Sequence, residues 1–151
     1  MSRAYFQQLE PSVKGTKFDV KSFIEQLTWN QDGLIPVITQ QHESKQVLMH
    51  AWMNRESLEL TLSTGWVTYW SRSRGQLWKK GESSGNQQRL IELRVDCDGD
   101  TLLCLADQKG PACHTGRDHC FYYALPANGD NFVVTQSTPN HTSDDTSSNA
   151  S

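Results

Sequence analysis

The sequence predicts a single, mainly β domain (α+β by content) over residues 18–127, with two short helices and six or seven strands. Three observations predict this class. Several segments rich in β-branched and aromatic residues flank short runs of turn-forming residues, which is the pattern of β-hairpins. Only two segments combine a capping residue with helical spacing of apolar side chains. A chain of 151 residues is also long enough for one domain with one hydrophobic core.

The first helix and the first hairpin are predicted in the N-terminal half of the chain. Asp19 is a typical N-cap residue, and Phe23 and Leu27 follow it one turn apart on the same helical face. The sequence NQDG then ends this helix. Residues 34–40 and 46–52 are largely apolar and flank the polar sequence QHESK, so they predict an antiparallel pair of strands.

The second helix is predicted over residues 55–64. Asn54 precedes it as an N-cap, and Leu58 and Leu62 lie one turn apart within it. Gly65 follows, and glycine readily adopts the left-handed conformation that ends many helices. The sequence therefore supplies both ends of this helix.

Further strands are predicted from turn signals in the second half of the chain. Residues 66–71 and 76–80 flank the sequence RSRG, and residues 89–96 and 101–107 flank the sequence CDGD. An Asp-Gly pair between two apolar segments is a strong signal for a tight turn. Residues 120–125, CFYYAL, predict a last short strand.

The two ends of the chain differ from the predicted domain. Residues 1–17 are interpreted as an N-terminal extension, and residues 128–151 as a disordered tail, because its polar end cannot offset the entropy of ordering. No apolar run has the length of a membrane span or of a signal peptide, which favours a cytoplasmic protein without a membrane partner. The net charge of −3 gives no general attraction to nucleic acid.

Three of the four cysteines predict a metal site. Two disulfides are the expectation for a secreted chain, whereas metal binding or catalysis is expected in a reducing cytosol. Cys97, Cys113 and Cys120 lie in turn-rich sequence, and three thiolates without an obvious fourth ligand are typical of an open zinc site. The alternative is that they are buried cysteines acting as small apolar residues. That alternative is preferred for Cys104, which lies in the apolar sequence LLCLA.

Three aspartates surround Cys97. If Asp96, Asp98 and Asp100 are in a strand, their spacing places all three carboxylates on one face with Cys97 on the other. If Gly99 forms a turn, they cluster at its tip. In either arrangement a cation would relieve their repulsion, and oxygen ligands suit Mg²⁺. The alternative is that Asp98 and Gly99 are ordinary turn residues.

Residues 69–86 combine basic, aromatic, serine and glycine residues. Guanidinium and ammonium groups beside loop N–H donors can bind a phosphate, and Trp or Tyr can stack on a base. The alternative is a solvated basic hairpin. Two further candidates are His114 and His119, each next to a cysteine, either of which can be a ligand, a proton carrier or an ordinary surface histidine.

The longest motifs resemble one known family. The sequences MHAWMNRESLELTLSTGWVTYWSRSRGQLWKKGESSGNQQ, VDCDGD and GPACHTGRDHCF occur in the order and spacing of phosphoribosyl-AMP cyclohydrolases, over residues 33–124. The resemblance implies an enzyme of the third step of histidine biosynthesis, without a fused second enzyme. The fold it implies is a small folded β pseudo-barrel capped by short helices, in an obligate homodimer.

The resemblance also implies the cofactors and the site residues. It implies one Zn²⁺ per subunit on Cys113 and Cys120, with Cys97 supplied by the partner chain, and one Mg²⁺ per subunit on Asp96, Asp98 and Asp100. Many relatives have serine where His119 stands. The substrate-binding candidates are the polar and aromatic residues of the basic segment: Trp70, Arg72, Arg74, Lys80, Ser83 and Ser84.

The implied reaction is the hydrolytic opening of the adenine ring of 1-(5-phosphoribosyl)-AMP at the bond between N1 and C6. A zinc-bound hydroxide is expected to attack C6, as in the zinc deaminases, with His114 as the candidate carrier of the proton. Two other classes remain open. One is a zinc-stabilised module that binds a nucleotide or RNA without catalysis, and the other is a redox switch formed by the cysteines.

Overall fold

The computed structural model describes residues 2–139 of the chain. Three helices and eight strands follow in chain order: α1 (Ser2–Leu9), α2 (Val20–Glu25), β1 (Ile35–Gln41), β2 (Val47–Met53), α3 (Arg55–Thr64), β3 (Thr68–Ser71), β4 (Gln76–Lys79), β5 (Gln88–Val95), β6 (Leu102–Gln108), β7 (Tyr123–Ala124) and β8 (Val133–Val134). The predicted mainly β class is confirmed. None of the three helices is long and apolar enough to cross a membrane, within the residues described.

The strands form three sheets. The largest has the order β2-β1-β6-β5, in which β1 and β6 are parallel and the other two pairs are antiparallel. Strands β3 and β4 form a second sheet, and β7 and β8 a third. No ladder among residues 2–139 closes the strands into a barrel. The three hairpins predicted around QHESK, RSRG and CDGD are confirmed.

The core lies between the large sheet and α3. Its fully buried side chains include Ile35, Val37, Met53, Leu58, Tyr69 and Leu102. The Tyr69 hydroxyl lies 2.7 Å from the hydroxyl of Thr39 and donates to Oε1 of Gln88 at 2.6 Å, so its burial leaves no polar atom unpaired. Burial raises the pKa of Tyr69 well above its usual value. Cys104 is fully buried on β6, as the interpretation of LLCLA predicted, and burial raises the pKa of its thiol to about 12.

The caps of both predicted helices are confirmed. The Asp19 carboxylate accepts from the backbone N–H of Ser22 at 3.0 Å at the start of α2. At the start of α3, the side chain of Asn54 accepts from the N–H of Ser57, whose hydroxyl accepts in return from the N–H of Asn54. Gly65 ends α3 with a φ of 82°, in the left-handed region. Local sequence therefore determines where these helices begin and end.

Helix α1 is an addition to the predicted elements, since the sequence indicates only an extension over residues 1–17. Its Phe6 is 6% exposed and belongs to the hydrophobic core. The Phe6 ring packs edge-to-face on Phe23 of α2, and it also lies against Gly99 in the turn between β5 and β6. A Cβ atom at Gly99 would lie 2.1 Å from that ring, so the N-terminal segment covers the turn that carries the aspartates.

The second unpredicted element is β8, which lies in the segment interpreted as a disordered tail. It pairs with β7, and the backbone N–H of Thr135 donates to the carbonyl of Tyr122 at 2.8 Å. Gln136 accepts from the Arg117 guanidinium through its backbone carbonyl, and from the N–H of Asp118 through its side chain. The tail interpretation therefore needs correction for residues 128–139. Residues 140–151 lie outside the described residues.

Truncation tests whether residues 128–139 contribute to the stability of the fold. If residues 128–151 were all disordered, a chain ending at Ala127 would fold and act like the full chain, but the contacts of Gln136 reverse that expectation. We now expect this truncation to lower the free energy of unfolding by roughly 2–4 kcal/mol, since it removes the β7–β8 pairing and the hydrogen bonds of Thr135 and Gln136, one of which is to a charged guanidinium. Urea unfolding of chains ending at Ala127 and at Pro139 is the measurement. Equal stability of the two chains would show that residues 128–139 contribute nothing.

Candidate active site

One cleft combines several of the predicted site residues. It has a volume of about 380 Å³ and opens between the β3–β4 hairpin, the loop of residues 81–86 and the loop of residues 110–116. Its polar lining includes two groups of predicted residues: Arg74, Ser83 and Ser84 from the basic segment, and Cys113 and His114 from the cysteine-containing segment. Tertiary structure therefore brings two separate motifs to one opening.

The loop of residues 81–86 is held in place by tight backbone geometry. Gly81 has a φ of 78°, and the N–H of Gly85 donates to its carbonyl at 2.8 Å. A Cβ atom at Gly81 would lie 2.3 Å from the backbone carbonyl carbon of Asn86. Gln108, at the end of β6, donates from Nε2 to the carbonyl of Asn86 at 3.0 Å. Nε2 of Gln88, on β5, donates in turn to Oε1 of Gln108 at 2.7 Å. The loop is therefore anchored to the buried polar residues of the core.

Alanine substitutions at two glycines of this loop are expected to differ in stability. Gly81→Ala is expected to destabilise the fold by roughly 2–4 kcal/mol, because it combines an unfavourable positive φ with a clash against backbone. Gly85→Ala is the matched control: its φ is 84°, but nothing lies within 4 Å of the added carbon, so about 1 kcal/mol is expected. Thermal or urea unfolding measures both, and equal losses would contradict the close approach at Gly81.

A tight loop brings Cys113 and Cys120 together. The N–H of Cys113 donates to the carbonyl of Arg117 at 3.2 Å, and the N–H of Gly116 donates back to the carbonyl of Cys113 at 2.9 Å. The N–H of Cys120 then donates to the carbonyl of Leu48 on β2 at 2.7 Å, which anchors the end of the loop to the large sheet. The two side chains are within hydrogen-bonding contact, and both thiols are free.

The two thiols have opposite pKa shifts. At Cys113 burial acts to raise the pKa, but the hydrogen bond from the Thr115 hydroxyl, at 3.1 Å, and the nearby Arg117 outweigh it, so the pKa lies below its usual value. At Cys120 burial and the neighbouring Cys113 raise the pKa to about 11. The loop therefore favours the thiolate form of Cys113 before any cation is bound. A bound cation would favour the thiolate form of Cys120 as well.

Lys80 lies beneath this loop and is not among the residues that line the cleft. Its ammonium group donates to the carbonyl of Ala112 and lies 5.4 Å from the centre of the Trp78 ring. Burial lowers the pKa of Lys80, and the nearby Cys120 and Cys113 act in the opposite direction. Lys80 therefore lies near Cys113 and Cys120 and supports the loop that carries Cys113. The sequence analysis had grouped it with the substrate-binding candidates.

The aspartates lie in a turn and not in a strand. Strand β5 ends at Val95, and the Asp96 carboxylate accepts from the backbone N–H groups of Asp100 at 3.0 Å and Thr101 at 3.2 Å. A hydrogen bond to the Asp96 carboxyl, together with burial, raises the pKa of Asp100. Cys97 is exposed in the same turn. Of the two arrangements that the sequence left open, the turn is the one that forms.

The described chain does not assemble a complete metal site by itself. Among residues 2–139, no group of three or more His, Cys, Asp or Glu side chains has the arrangement needed to hold a metal ion. Cys113 and Cys120 supply a pair of sulfur atoms, which suits a soft metal such as zinc, but Cys97 does not join them within one chain. The Asp96 and Asp100 carboxyls are in contact, and a cation that prefers oxygen ligands would relieve the repulsion between their charged forms.

Besides Lys80, two further substrate-binding candidates, Trp70 and Arg72, are not among the residues that line the cleft. The Arg72 guanidinium stacks over the Trp52 ring, 4.5 Å from its centre, and Trp70 pairs with Leu77 across the β3–β4 hairpin. His119 also lies outside the cleft lining, and its Nδ1 accepts from the N–H of Phe121 at 3.1 Å.

Several residues that line the cleft are not among the sequence-based candidates, namely Gln76, Trp78, Glu82, Asn86 and Pro111. Glu82 and Asn86 are in the same glycine-bounded loop as Ser83 and Ser84, so their place in that loop was the available signal. Pro111 directly precedes the cysteine-containing loop. No signal of comparable strength pointed to Gln76.

Comparison with known proteins identifies the family. The family model described as phosphoribosyl-AMP cyclohydrolase matches residues 49–122. A phosphoribosyl-AMP cyclohydrolase of Alkalilimnicola ehrlichii is 60% identical over 124 residues, which are 82% of this chain and 87% of that protein. The chain belongs to the phosphoribosyl-AMP cyclohydrolase family.

Other phosphoribosyl-AMP cyclohydrolases agree with this assignment. The one from Chromohalobacter salexigens is 59% identical over 122 residues, 81% of this chain and 84% of that protein. The one from Rhodospirillum rubrum is 63% identical over 103 residues, 68% of this chain and 72% of that protein. The resemblance found in the sequence is therefore confirmed. The cyclohydrolase model also spans every residue that lines the cleft, whereas β8 lies outside it.

Proposed function

We propose that this chain hydrolyses the bond between N1 and C6 in the adenine ring of 1-(5-phosphoribosyl)-AMP. The product is the formimino aminoimidazole carboxamide ribotide of histidine biosynthesis, so the enzyme is a hydrolase acting on a cyclic amidine. The observation that supports this best is the cleft itself, which is lined by His114 and Cys113 together with Arg74, Ser83 and Ser84. A proton-carrying group and anion-binding groups at one opening suit a nucleotide whose ring is to be opened.

The pair of sulfur atoms at Cys113 and Cys120 suits zinc, and the contact between the Asp96 and Asp100 carboxyls suits Mg²⁺. We propose that Cys113 and Cys120 hold one Zn²⁺ per subunit together with Cys97 of the partner subunit, and that Asp96, Asp98 and Asp100 hold one Mg²⁺. A zinc ion held by these thiolates with one open position would lower the pKa of a bound water to about 7. The depressed pKa of Cys113 supports this role, because thiolate is the form that binds metal.

The polar lining of the cleft suits the charged ends of the substrate. The Arg74 guanidinium carries a permanent positive charge and presents paired N–H donors, a geometry that matches phosphate oxygens. The hydroxyls of Ser83 and Ser84, in the loop of residues 81–86, add neutral donors, and Trp78 adds aromatic surface to the lining. The hydrogen bond from Gln108 to the carbonyl of Asn86 fixes the end of this loop. The two serine hydroxyls are therefore in place before substrate binds.

His114 is the proposed proton carrier. It is exposed at the cleft, and one nitrogen of a neutral imidazole accepts a proton while the other donates one, so the side chain can carry a proton between two atoms. Water adds its oxygen to C6 and the bond from C6 to N1 breaks. One proton of the water passes through the imidazole to N1, and the other goes to the exocyclic imino nitrogen on C6, which becomes the NH2 of the carboxamide. The oxygen remains on C6 as the carboxamide carbonyl, so no ammonia is released and no oxidant is needed.

Replacing His114 tests that role. His114→Gln is expected to lower kcat by about 10²- to 10⁴-fold with little change in KM, because the side chain acts on the proton and not on substrate affinity. His119→Gln is the matched control and is expected to retain kcat, since His119 lies outside the cleft. Steady-state kinetics of both variants is the measurement, and an unchanged kcat in the His114 variant would remove it from the reaction.

The oligomeric state, the location and the partners are a further part of the proposal. We propose a homodimer located in the cytoplasm, with a small nucleotide as substrate and no nucleic-acid or membrane partner. The second candidate function, a nucleotide-binding module without catalysis, is supported by the same basic and aromatic lining of the cleft.

One assay decides between these candidates. Ring opening of 1-(5-phosphoribosyl)-AMP changes the ultraviolet absorbance of the purine, so turnover is followed directly, with and without a metal chelator. We expect turnover that the chelator abolishes and added zinc restores. Substrate binding without any absorbance change, in protein shown to contain zinc, would favour the binding module. Turnover that survives complete metal removal would contradict the proposed metal role.

A further inference from the structure

Two of the loops that line the cleft meet at one end of the β5–β6 pair. Strand β5 begins at Gln88 and β6 ends at Gln108, and these residues are register partners in an antiparallel pair. The loop of residues 81–86, here called the serine wall, therefore enters β5 where the loop of residues 110–116, here called the cysteine wall, leaves β6. A side chain at this end of the pair can set the separation of the two walls.

One amide group is hydrogen-bonded to both walls. Nε2 of Gln108 donates to the carbonyl of Asn86, the last residue of the serine wall, at 3.0 Å, and to the carbonyl of Lys109, directly before the cysteine wall, at 2.9 Å. A primary amide has two N–H protons, so each carbonyl receives one. The walls also touch, since a Cβ atom added at Gly110 would lie 2.3 Å from Oδ1 of Asn86. A single side chain therefore joins the two walls where they meet.

The orientation of this amide is fixed from both sides. Backbone carbonyls only accept hydrogen bonds, so the NH2 group of Gln108 must face them and its Oε1 must face Gln88. Nε2 of Gln88 donates to that Oε1 at 2.7 Å, and Oε1 of Gln88 accepts from the Tyr69 hydroxyl at 2.6 Å. Gln88 and Tyr69 are fully buried, so water does not compete for these hydrogen bonds. The core thus holds the amide that joins the walls in one orientation.

We propose that Gln108 is a positioning residue for the ring-opening reaction, because it fixes the separation between the serine wall and the cysteine wall. The inference rests on the proposed function, in which the first wall helps to bind the charged end of the substrate and the second carries His114. Gln108 is not among the residues that line the cleft, so it acts through the walls and not on the substrate. A displacement of about 1 Å between a bound substrate and the groups that act on it can cost about a hundredfold in rate.

Gln108→Glu tests the amide with a side chain of nearly equal size. Glutamate keeps an oxygen that accepts from Gln88, but it replaces both donors by an oxygen that faces two carbonyls. We expect kcat to fall about 10- to 100-fold with KM changed by less than about threefold, because each wall can still bind its part of the substrate. Gln41→Glu is the matched control, with the same change of charge on the neighbouring strand β1. Gln41 accepts from the backbone N–H of Gln108 through Oε1 at 2.8 Å, and glutamate retains that acceptor, so kcat should not change.

Hydrogen exchange reports on the walls without turnover. The N–H of Gly85 is hydrogen-bonded within the serine wall, and the N–H of Gly116 within the cysteine wall. In Gln108→Glu protein both amides should exchange about tenfold faster or more by NMR, while the amides of α3 keep their rates, because the opening is local. Gln108→Met lacks the same donors without adding a charge, and it should loosen both walls in the same way. In Gln41→Glu protein neither wall should change.

The outcomes separate this inference from the proposed activity. Slow exchange that persists in either wall in both Gln108 variants overturns the inference, and so does faster exchange throughout α3, which would mean a general loss of stability. Two loosened walls with a wild-type kcat overturn the positioning role and leave the proposed activity standing. Wild-type protein without turnover overturns the proposed function, while the exchange rates still decide whether Gln108 joins the walls.

Discussion

Cys113→Ser protein is expected to lose bound zinc and turnover together. Serine is a poor ligand for a soft metal, and Cys113 is the thiol whose pKa the loop lowers through Thr115 and Arg117. Removing even the indirect partners of metal ligands costs about 10- to 100-fold, so loss of a ligand should lower activity by more than about a hundredfold. Zinc is measured by atomic absorption on purified protein, and turnover by the absorbance assay. Cys120→Ser and Cys97→Ser are expected to behave in the same way.

The control for this experiment is Cys104→Ser. Cys104 is fully buried on β6 and has a pKa raised to about 12, so it is neither placed nor ionised to bind metal. The variant should retain both zinc and turnover, at the cost of some stability from placing a hydroxyl in the core. Full zinc content in Cys113→Ser protein, or zinc loss in a folded Cys104→Ser protein, would contradict the assignment of the ligands.

Two inactive variants are expected to restore activity when their subunits exchange. Cys97→Ser and Cys113→Ser chains should each be inactive alone, because every site in each homodimer lacks one thiol. If Cys97 acts on the partner's site, the mixed dimer contains one site with all three thiols: Cys97 from one chain, and Cys113 with Cys120 from the other. Random exchange makes half of the dimers mixed and leaves one of their two sites intact, so about a quarter of wild-type activity should return.

The measurement needs proof that subunits exchange. Chains carrying different affinity tags are mixed, and the doubly tagged dimers are isolated and assayed; in that fraction about half of wild-type activity is expected. Mixing Cys113→Ser with Cys120→Ser chains is the matched control, and it should restore nothing because both changes fall on the same half of the site. No recovery in isolated mixed dimers of the first pair would mean that each zinc site is built within one chain.

Local elements of the fold were predictable from particular residues. Asp19 and Asn54 cap helices because their side chains accept hydrogen bonds from backbone N–H groups three residues later. Gly65 ends a helix because glycine readily adopts the left-handed conformation. The three hairpins were predictable for the same reason, since turn sequences such as CDGD act over short distances. Helix α1 and strand β8 were not predictable because their own sequences carry weak signals. Phe6 and Gln136 are ordered by distant partners, namely Gly99 and the segment from Arg117 to Asp118.

The candidate site shows the same division. The residue types at Cys113, Cys120 and His114 suggest a metal site and a proton carrier from the sequence alone, and the residues matched by the family model include all three. The sequence could not say that Arg74 and Ser83 share a cleft with His114 while Arg72 and Trp70 do not. Membership of a cleft depends on which strands and loops pack together, and within one turn Arg72 lies over the Trp52 ring while Arg74 lines the cleft.

The sequence by itself determined the family, the mainly β class, the helix caps, the hairpins and the identity of the thiol ligands we propose. These follow from contacts within a few residues or from long specific motifs. Only the tertiary structure decided that the aspartates form a turn, that Lys80 lies beneath the cysteine loop, and that residues 128–139 hold that loop. Those arrangements arise from packing between segments far apart in the chain, where burial and backbone hydrogen bonding outweigh local preference.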